Sequence, residues 1–212
     1  MRIVEPGYQI ILPFSTWGEA RETLYMMIER AGRTCYKSEA KMSPGSAEKF
    51  IRSAVKADHG AILEHAGLTV RFTVDRGVSH EIVRHRLASF AQESTRYCNY
   101  GHEGEITFIR PFYLEAGSEA YQAWEKACTA CELAYMLMLK EGCSAQEARA
   151  VLPNSVKTEV VMTANMREWR HFFKLRACGT TGKPHPQMLQ VAVPLLKELQ
   201  VRLPALFDDL EV

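Results

Sequence analysis

Residues 67–75, GLTVRFTVD, alternate apolar Leu68, Val70, Phe72 and Val74 with polar Thr69, Arg71 and Thr73, the period of a half-buried strand. VKTEVVMTA, residues 156–164, alternates in the same way and predicts another strand, with a short one at EITFI. Most of the remaining pattern is helical. Leu24, Met27, Ile28 and Ala31 form a stripe behind a capping box of Thr16 and Glu19, which predicts a helix over 17–32. Pro44 and Ser46 open a second helix ahead of KFIRSAVKA, with Gly60 as its stop. Beyond GLTVRFTVD the chain direction breaks at Gly77. Ser79 is expected to cap a short helix, SHEIVRHR, which delivers Arg84, His85 and Arg86 at its C-terminal end and on into a loop. A long helix is expected near 118–141. Ser144 and Glu147 form a capping box for AQEARAVL, which Pro153 ends. Asn165 caps MREWRHFFKLR, and a last helix covers 186–206, kinked where Pro194 removes the hydrogen bond to Gln190. Helices and strands interleave, with too few strands for a doubly wound sheet. The expected fold is α+β, a single domain over 1–212 with a mixed or antiparallel sheet covered by helices.

Composition narrows the function rather than the fold. Lys+Arg number 26 against 25 Asp+Glu, so a general nucleic-acid or membrane-surface role has no electrostatic footprint and any basic site is local. The first residues lack the pattern of a signal peptide and no apolar run reaches membrane-spanning length, which predicts a soluble, cytoplasmic protein. Six cysteines without an export signal predict free thiols. Cys128 and Cys131 form a lone CxxC, but they share a helical face with Tyr121, Trp124, Tyr135 and Met138, which favours core packing over redox or zinc chemistry.

The local basic site is RHRLASFAQESTRY, residues 84–97. Arginine forks match phosphate oxygens two at a time and serine hydroxyls add directional donors, so the stretch reads either as a solvated basic face or as a pocket for a phosphate-bearing ligand. Arg149 stands in the otherwise apolar EARAVLP and reads equally as a surface ion pair with Glu147 or Glu141. Arg176 ends the FFKLR helix, where a cation also complements the helix dipole. His59, His65, His80 and His85 lie near Glu64 and Glu81, yet no HExxH or zinc-spaced thiolate pair accompanies them, and no metal is expected. There is no GxGxxG and no P-loop, so a dinucleotide would not use a Rossmann turn.

RHR, seven residues, then Ser94 resembles the signature of the flavin-dependent thymidylate synthases, which fixes four residues over eleven positions. HGAILEH upstream and EARAVLP and TANMREWRHFFKLR downstream extend the resemblance over almost the whole chain. It implies methylation of dUMP to dTMP, with methylenetetrahydrofolate as one-carbon donor and FAD, recharged by NADPH, as the source of hydride. It also implies a homotetramer with active sites assembled from several subunits.

By position, the resemblance puts His59, Ala61, Glu64, Arg84, His85, Arg86, Gln92, Asn165, Arg167 and His171 at the flavin. For dUMP it implies Glu81, Arg84, Gln92, Glu93, Ser94, Thr95, Arg96, Arg149 and Arg176. Arg176 faces the uracil and is the implied catalytic residue, because a fixed guanidinium there favours the anionic ring whose C5 becomes nucleophilic. No cysteine nucleophile is required, and Ser94 acts as a binding donor. Three positions depart from the family's usual pattern: Glu81 stands for Gln, Gln92 for Glu and His171 for Asn. The segment ACGTTGKPHPQM after Arg176 also differs from the expected shorter loop, leaving Lys183, His185 and Gln187 without a family role. The rival readings are a module gripping nucleic-acid phosphates and a structural domain whose arginines pair with Glu64, Glu81 and Glu93.

Overall fold

Both alternating stretches become strands and each feeds directly into a helix. The computed structural model describes all 212 residues. In chain order the elements are strands β1 (Arg2–Val4) and β2 (Gly7–Ile11), helices α1 (Trp17–Cys35) and α2 (Ser46–Lys56), then β3 (Gly67–Asp75), α3 (Arg76–Ile82), β4 (Ala88–Gln92) and β5 (Thr107–Ile109). They continue with α4 (Glu119–Lys140), α5 (Ala145–Ala148), β6 (Lys157–Asn165), α6 (Met166–Arg176), α7 (Pro186–Arg202) and α8 (Pro204–Phe207). The architecture is α+β, as expected, with parallel and antiparallel strand pairs. The strands divide between two sheets: β1 pairs parallel with β5, and four strands take the order β2-β3-β6-β4. β3 and β6 are antiparallel, since Met166 N–H donates to Ala66 O while the Thr69 and Thr163 hydroxyls lie 2.9 Å apart.

Several boundaries differ from the sequence-based expectation for identifiable reasons. Gly60 does not stop α2; the helix ends at Lys56 and Asp58 takes the left-handed conformation, with φ 54°. Ser79 does not cap α3. The carboxylate of Asp75 accepts from Val78 N–H at 2.7 Å, starting the helix at Arg76, and Ser79 instead donates to Arg76 O within it. Because α3 therefore ends at Ile82, Arg84, His85 and Arg86 all lie in the connection to β4. The final helix is interrupted after Arg202, and Pro204 starts a separate turn.

By contact the chain groups into two units. The first comprises Met1–Gly7, Phe72–Arg84 and Ala91–Val161, and the second Tyr8–Arg71, His85–Phe90 and Met162–Val212. In the first, Cys128 and Tyr135 on α4 are buried with Ile106, Phe108, Ala148 and Val156. The CxxC is thus part of a helix face, as expected, and all six cysteines are free thiols. In the second, the core is strongly aromatic. Trp169, Phe172 and Phe173 of α6 are fully buried, Phe173 meets Phe207 edge to face, and Trp169 Nε1 donates to Leu68 O at 3.0 Å. Each such ring pair adds about 0.5–1.5 kcal/mol beyond burial of its area, which makes α6 a rigid platform.

Candidate functional site

In the second unit the site is built outward from α6. Asn165 Oδ1 accepts from Glu168 N–H at 2.9 Å, so the strand-to-helix turn is fixed as the sequence predicts. On the side away from the aromatic core, Arg167 Nη1 donates to Glu64 Oε1 at 2.6 Å, tying α6 to the 3₁₀ turn Gly60–His65. His59, Gly60, Ala61 and Arg167 line a cleft of about 590 Å³ whose other wall carries Tyr36 and Phe50. A smaller cleft, about 160 Å³, shares His59 and Arg167 and adds His171 and Lys174. A third, about 450 Å³, is walled by Glu64, Arg86 and Asn165. These three clefts gather seven expected residues, separated by up to 112 positions in sequence (59 to 171), on one small part of the second unit.

His85 has a different place. It is buried at 3% exposure, its Nδ1 lies 3.1 Å from Glu168 Oε1, and its Nε2 accepts from Arg176 Nε at 3.2 Å. Burial first, then the charges of Arg176 and His171, push its pKa down to about 4, so the ring is neutral at ordinary pH. A neutral imidazole that accepts at Nε2 carries its proton on Nδ1, where Glu168 receives it. Burial raises the Glu168 pKa from the usual carboxylate value. Both ring nitrogens of His85 are therefore engaged inside the protein, by Glu168 on one side and Arg176 on the other. His85, Glu168 and His171 do bring ligand atoms within 4.8 Å of one another, but a cation there would compete for a ring nitrogen of His85 that already holds a hydrogen bond and would lie near the Arg176 guanidinium.

The first unit gathers the end of β4 and the loop after it. Gln92 Nε2 donates to Ser79 Oγ at 2.9 Å and to Thr158 Oγ1 at 3.3 Å. Glu93 accepts from Lys157 Nζ and from the Tyr100 hydroxyl, both at 3.0 Å, so its charge is balanced within the fold. Burial, with the Glu93 carboxylate adding to it, raises the Tyr100 pKa far above the ordinary phenol value, so Tyr100 remains a donor. Thr95 is buried and its Oγ1 accepts from Arg149 Nη1 at 3.4 Å, neither of the ion pairs foreseen for Arg149. Ser94 Oγ accepts from Arg96 N–H at 3.3 Å, and the Arg96 guanidinium lies over the Tyr97 ring. Arg84 is exposed beyond the end of α3, and Glu81 is half-buried in the last turn of that helix.

Residues 22–205 match the model of the family described as thymidylate synthase complementing protein. The chain belongs to that family. Among its relatives, flavin-dependent thymidylate synthase from Corynebacterium aurimucosum is 35% identical over 204 residues, covering 88% of this chain and 80% of the relative. The enzyme of the same name from Geobacter sulfurreducens is 33% identical over 186 residues, covering 84% and 78%. In overall fold the chain is similar to the UMP/dUMP methylase PolB of Streptomyces cacaoi, with a TM-score of 0.79 over 98% of this chain and 96% of that one at 20% identity.

For this family member, sequence reasoning missed three residues of evident structural weight. Glu168 was hidden as an ordinary acid in a helix first turn, although an Asn cap followed three positions later by Glu was visible. Lys157 and Tyr100, which hold Glu93, carried no local signal because their partner is 64 and 7 positions away.

Proposed function

We propose that this chain converts dUMP to dTMP by reductive methylation, with methylenetetrahydrofolate as the one-carbon donor. A flavin dinucleotide needs cationic and polar donors for its pyrophosphate and flat apolar walls for its rings. Arg86, Arg167, His59 and Lys174 supply the donors, Tyr36 and Phe50 the walls, and the lack of a side chain at Gly60 leaves room for the Arg167 guanidinium. The second unit's clefts thus fit FAD, with Ala61, Glu64, Asn165 and His171 completing the surround. When bound, FAD supplies the hydride that reduces the transferred carbon, and NADPH recharges it.

The chain's own residues bind, orient and polarise. Arg84, Ser94, Arg96 and Arg149 are donors for the nucleotide phosphate, and Gln92, Glu93 and Thr95 keep their loop in one conformation, with Glu81 at the adjoining helix end. Arg176 lies at the uracil edge, where a fixed guanidinium favours negative charge on the ring and so builds electron density at C5. The single observation that carries this reading is that Arg176 is held through Nε by a buried, neutral His85. A guanidinium fixed before substrate arrives has no reorganisation to undergo in the transition state. On the same reading the protein is a single-domain, cytoplasmic homotetramer with shared active sites.

The test is an absorbance titration of the purified protein with FAD, then NADPH oxidation with and without dUMP. Flavin binding with dUMP-dependent oxidation and dTMP formation is expected. Arg176→Ala should abolish turnover and leave flavin bound; loss of flavin with dUMP binding retained would reverse that assignment. A protein that ignores FAD but binds oligonucleotides in a salt-sensitive way would instead be a phosphate-gripping module.

A further inference from the structure

We infer that Glu168 is a positioning residue for the reaction, acting through His85 on Arg176. The inference rests on the uracil-facing role of Arg176 proposed above. Glu168 occupies the third position of α6, where an acid behind an Asn cap ordinarily reaches back to the cap's own N–H. Here the Asn165 side chain accepts from the Glu168 backbone, but the Glu168 carboxylate turns inward to His85 Nδ1 and is 4% exposed. A buried carboxylate is costly unless its partner requires it. Its partner is a neutral ring whose other nitrogen receives the Arg176 Nε–H, so the acceptor at Glu168 decides which His85 nitrogen carries the proton.

The geometry spans one helix. Glu168 and Arg176 stand in the first and last turns of α6, and His85 bridges them from the connection between α3 and β4. Packing of the ring edge against Phe172, at 5.0 Å between centroids, and His171, at 5.6 Å, limits its rotation. With the proton on Nδ1, Nε2 points its lone pair at Arg176. With the proton on Nε2, two donors would face each other at 3.2 Å and the guanidinium would move. A carboxylate oriented on one side of an imidazole also makes the opposite nitrogen a better acceptor, which strengthens the hold on Arg176.

The experiment uses the full chain with FAD, dUMP, methylenetetrahydrofolate and NADPH, comparing wild type with Glu168→Leu, Glu168→Gln, His85→Ala and the Glu168→Leu/His85→Ala double variant. Glu168→Leu removes the acceptor and should lower kcat about tenfold or more with the affinity for FAD unchanged. Glu168→Gln keeps an acceptor oxygen and should restore most of that loss. In the His85→Ala background, Glu168→Leu should cost little further, because its route to Arg176 is already cut. Multiplicative losses in the double variant would overturn the inference and leave Glu168 a helix-end residue. Should the Leu variant fail to fold, nitrogen NMR of His85 in the wild type decides: the Nδ1–H tautomer is required, and the Nε2–H tautomer would overturn it. A wild type that makes no dTMP sinks the enzyme reading, whereas an active wild type with uncoupled variants sinks only the role of Glu168.

Discussion

A Cβ placed on Gly60 would lie 2.9 Å from Arg167 Nε, nearer than side-chain carbons approach such atoms. Glycine at this position leaves room for the arginine side chain opposite and does not answer an unusual backbone angle. In Gly60→Ala the flexible Arg167 side chain gives way and leaves Glu64. Their pair is largely solvent-exposed, at 58% and 44%, so the fold should lose no more than about 1 kcal/mol. The cleft donor is displaced, however, and the affinity for FAD should fall roughly tenfold, about 1.4 kcal/mol. Flavin titration beside a thermal melt separates the two, and unchanged affinity would remove Arg167 from the cofactor site.

That contact also marks what the sequence could and could not reveal. The two alternating strands, the caps at Thr16 and Asn165, the Ser144–Glu147 box and the buried face of α4 follow from patterns a few residues long. In sequence β4 resembles a polar loop because ASFAQ contains little of the β-branched or aromatic character that marks strands, and only pairing with β6 defines it. The cleft residues were reached through the motif. The polar network under Arg176 was not, because Glu168, His85 and Arg176 become neighbours only when α6 packs beside the connection that carries His85.

The depressed pKa of His85 ties stability to pH. In the unfolded chain this histidine takes up a proton near its ordinary value of about 6.5, whereas in the folded protein it does so only near 4. Between these values the unfolded state binds more protons, so His85 contributes stability that is complete above about pH 6.5 and lost as pH falls toward 4. Glu168, raised by burial, has the opposite sign but acts nearer the carboxylate range. Urea unfolding at pH 7 and pH 5 should show a loss of about 2 kcal/mol in the wild type that is missing from His85→Gln. An equal pH dependence in both would show that the ring is not held neutral.

Glu93 lies within the signature yet its work is internal. Lys157 and Glu93 are 24% and 17% exposed, and burial, which tends to lower the lysine pKa, is outweighed by Glu93 and Glu159, leaving it raised. Lys157→Met leaves the Glu93 carboxylate with the Tyr100 hydroxyl but without its cation, which should cost about 1–3 kcal/mol in denaturant unfolding. Because Glu93 adjoins Ser94 and Thr95, the Michaelis constant for dUMP should rise while FAD affinity stays constant. A variant that loses stability but keeps its dUMP constant would detach this network from the nucleotide loop.

The CxxC on α4 gives a prediction of chemical reactivity. Cys128 is 1% exposed, its thiol pKa is raised by burial, and its Sγ lies 3.5 Å from Ser155 Oγ. A thiol that ionises late and meets no solvent is a poor nucleophile. Cys35, by contrast, is exposed at the end of α1 and also lines the larger cleft. Limited alkylation of the native protein, read by mass spectrometry, should label Cys35 early and spare Cys128 until denaturant is added. Prior addition of FAD should slow labelling at Cys35 and leave Cys128 unaffected. Early modification of Cys128, or its oxidation to a disulfide with Cys131 in the folded protein, would mean that the helix opens and that the pair has redox chemistry after all.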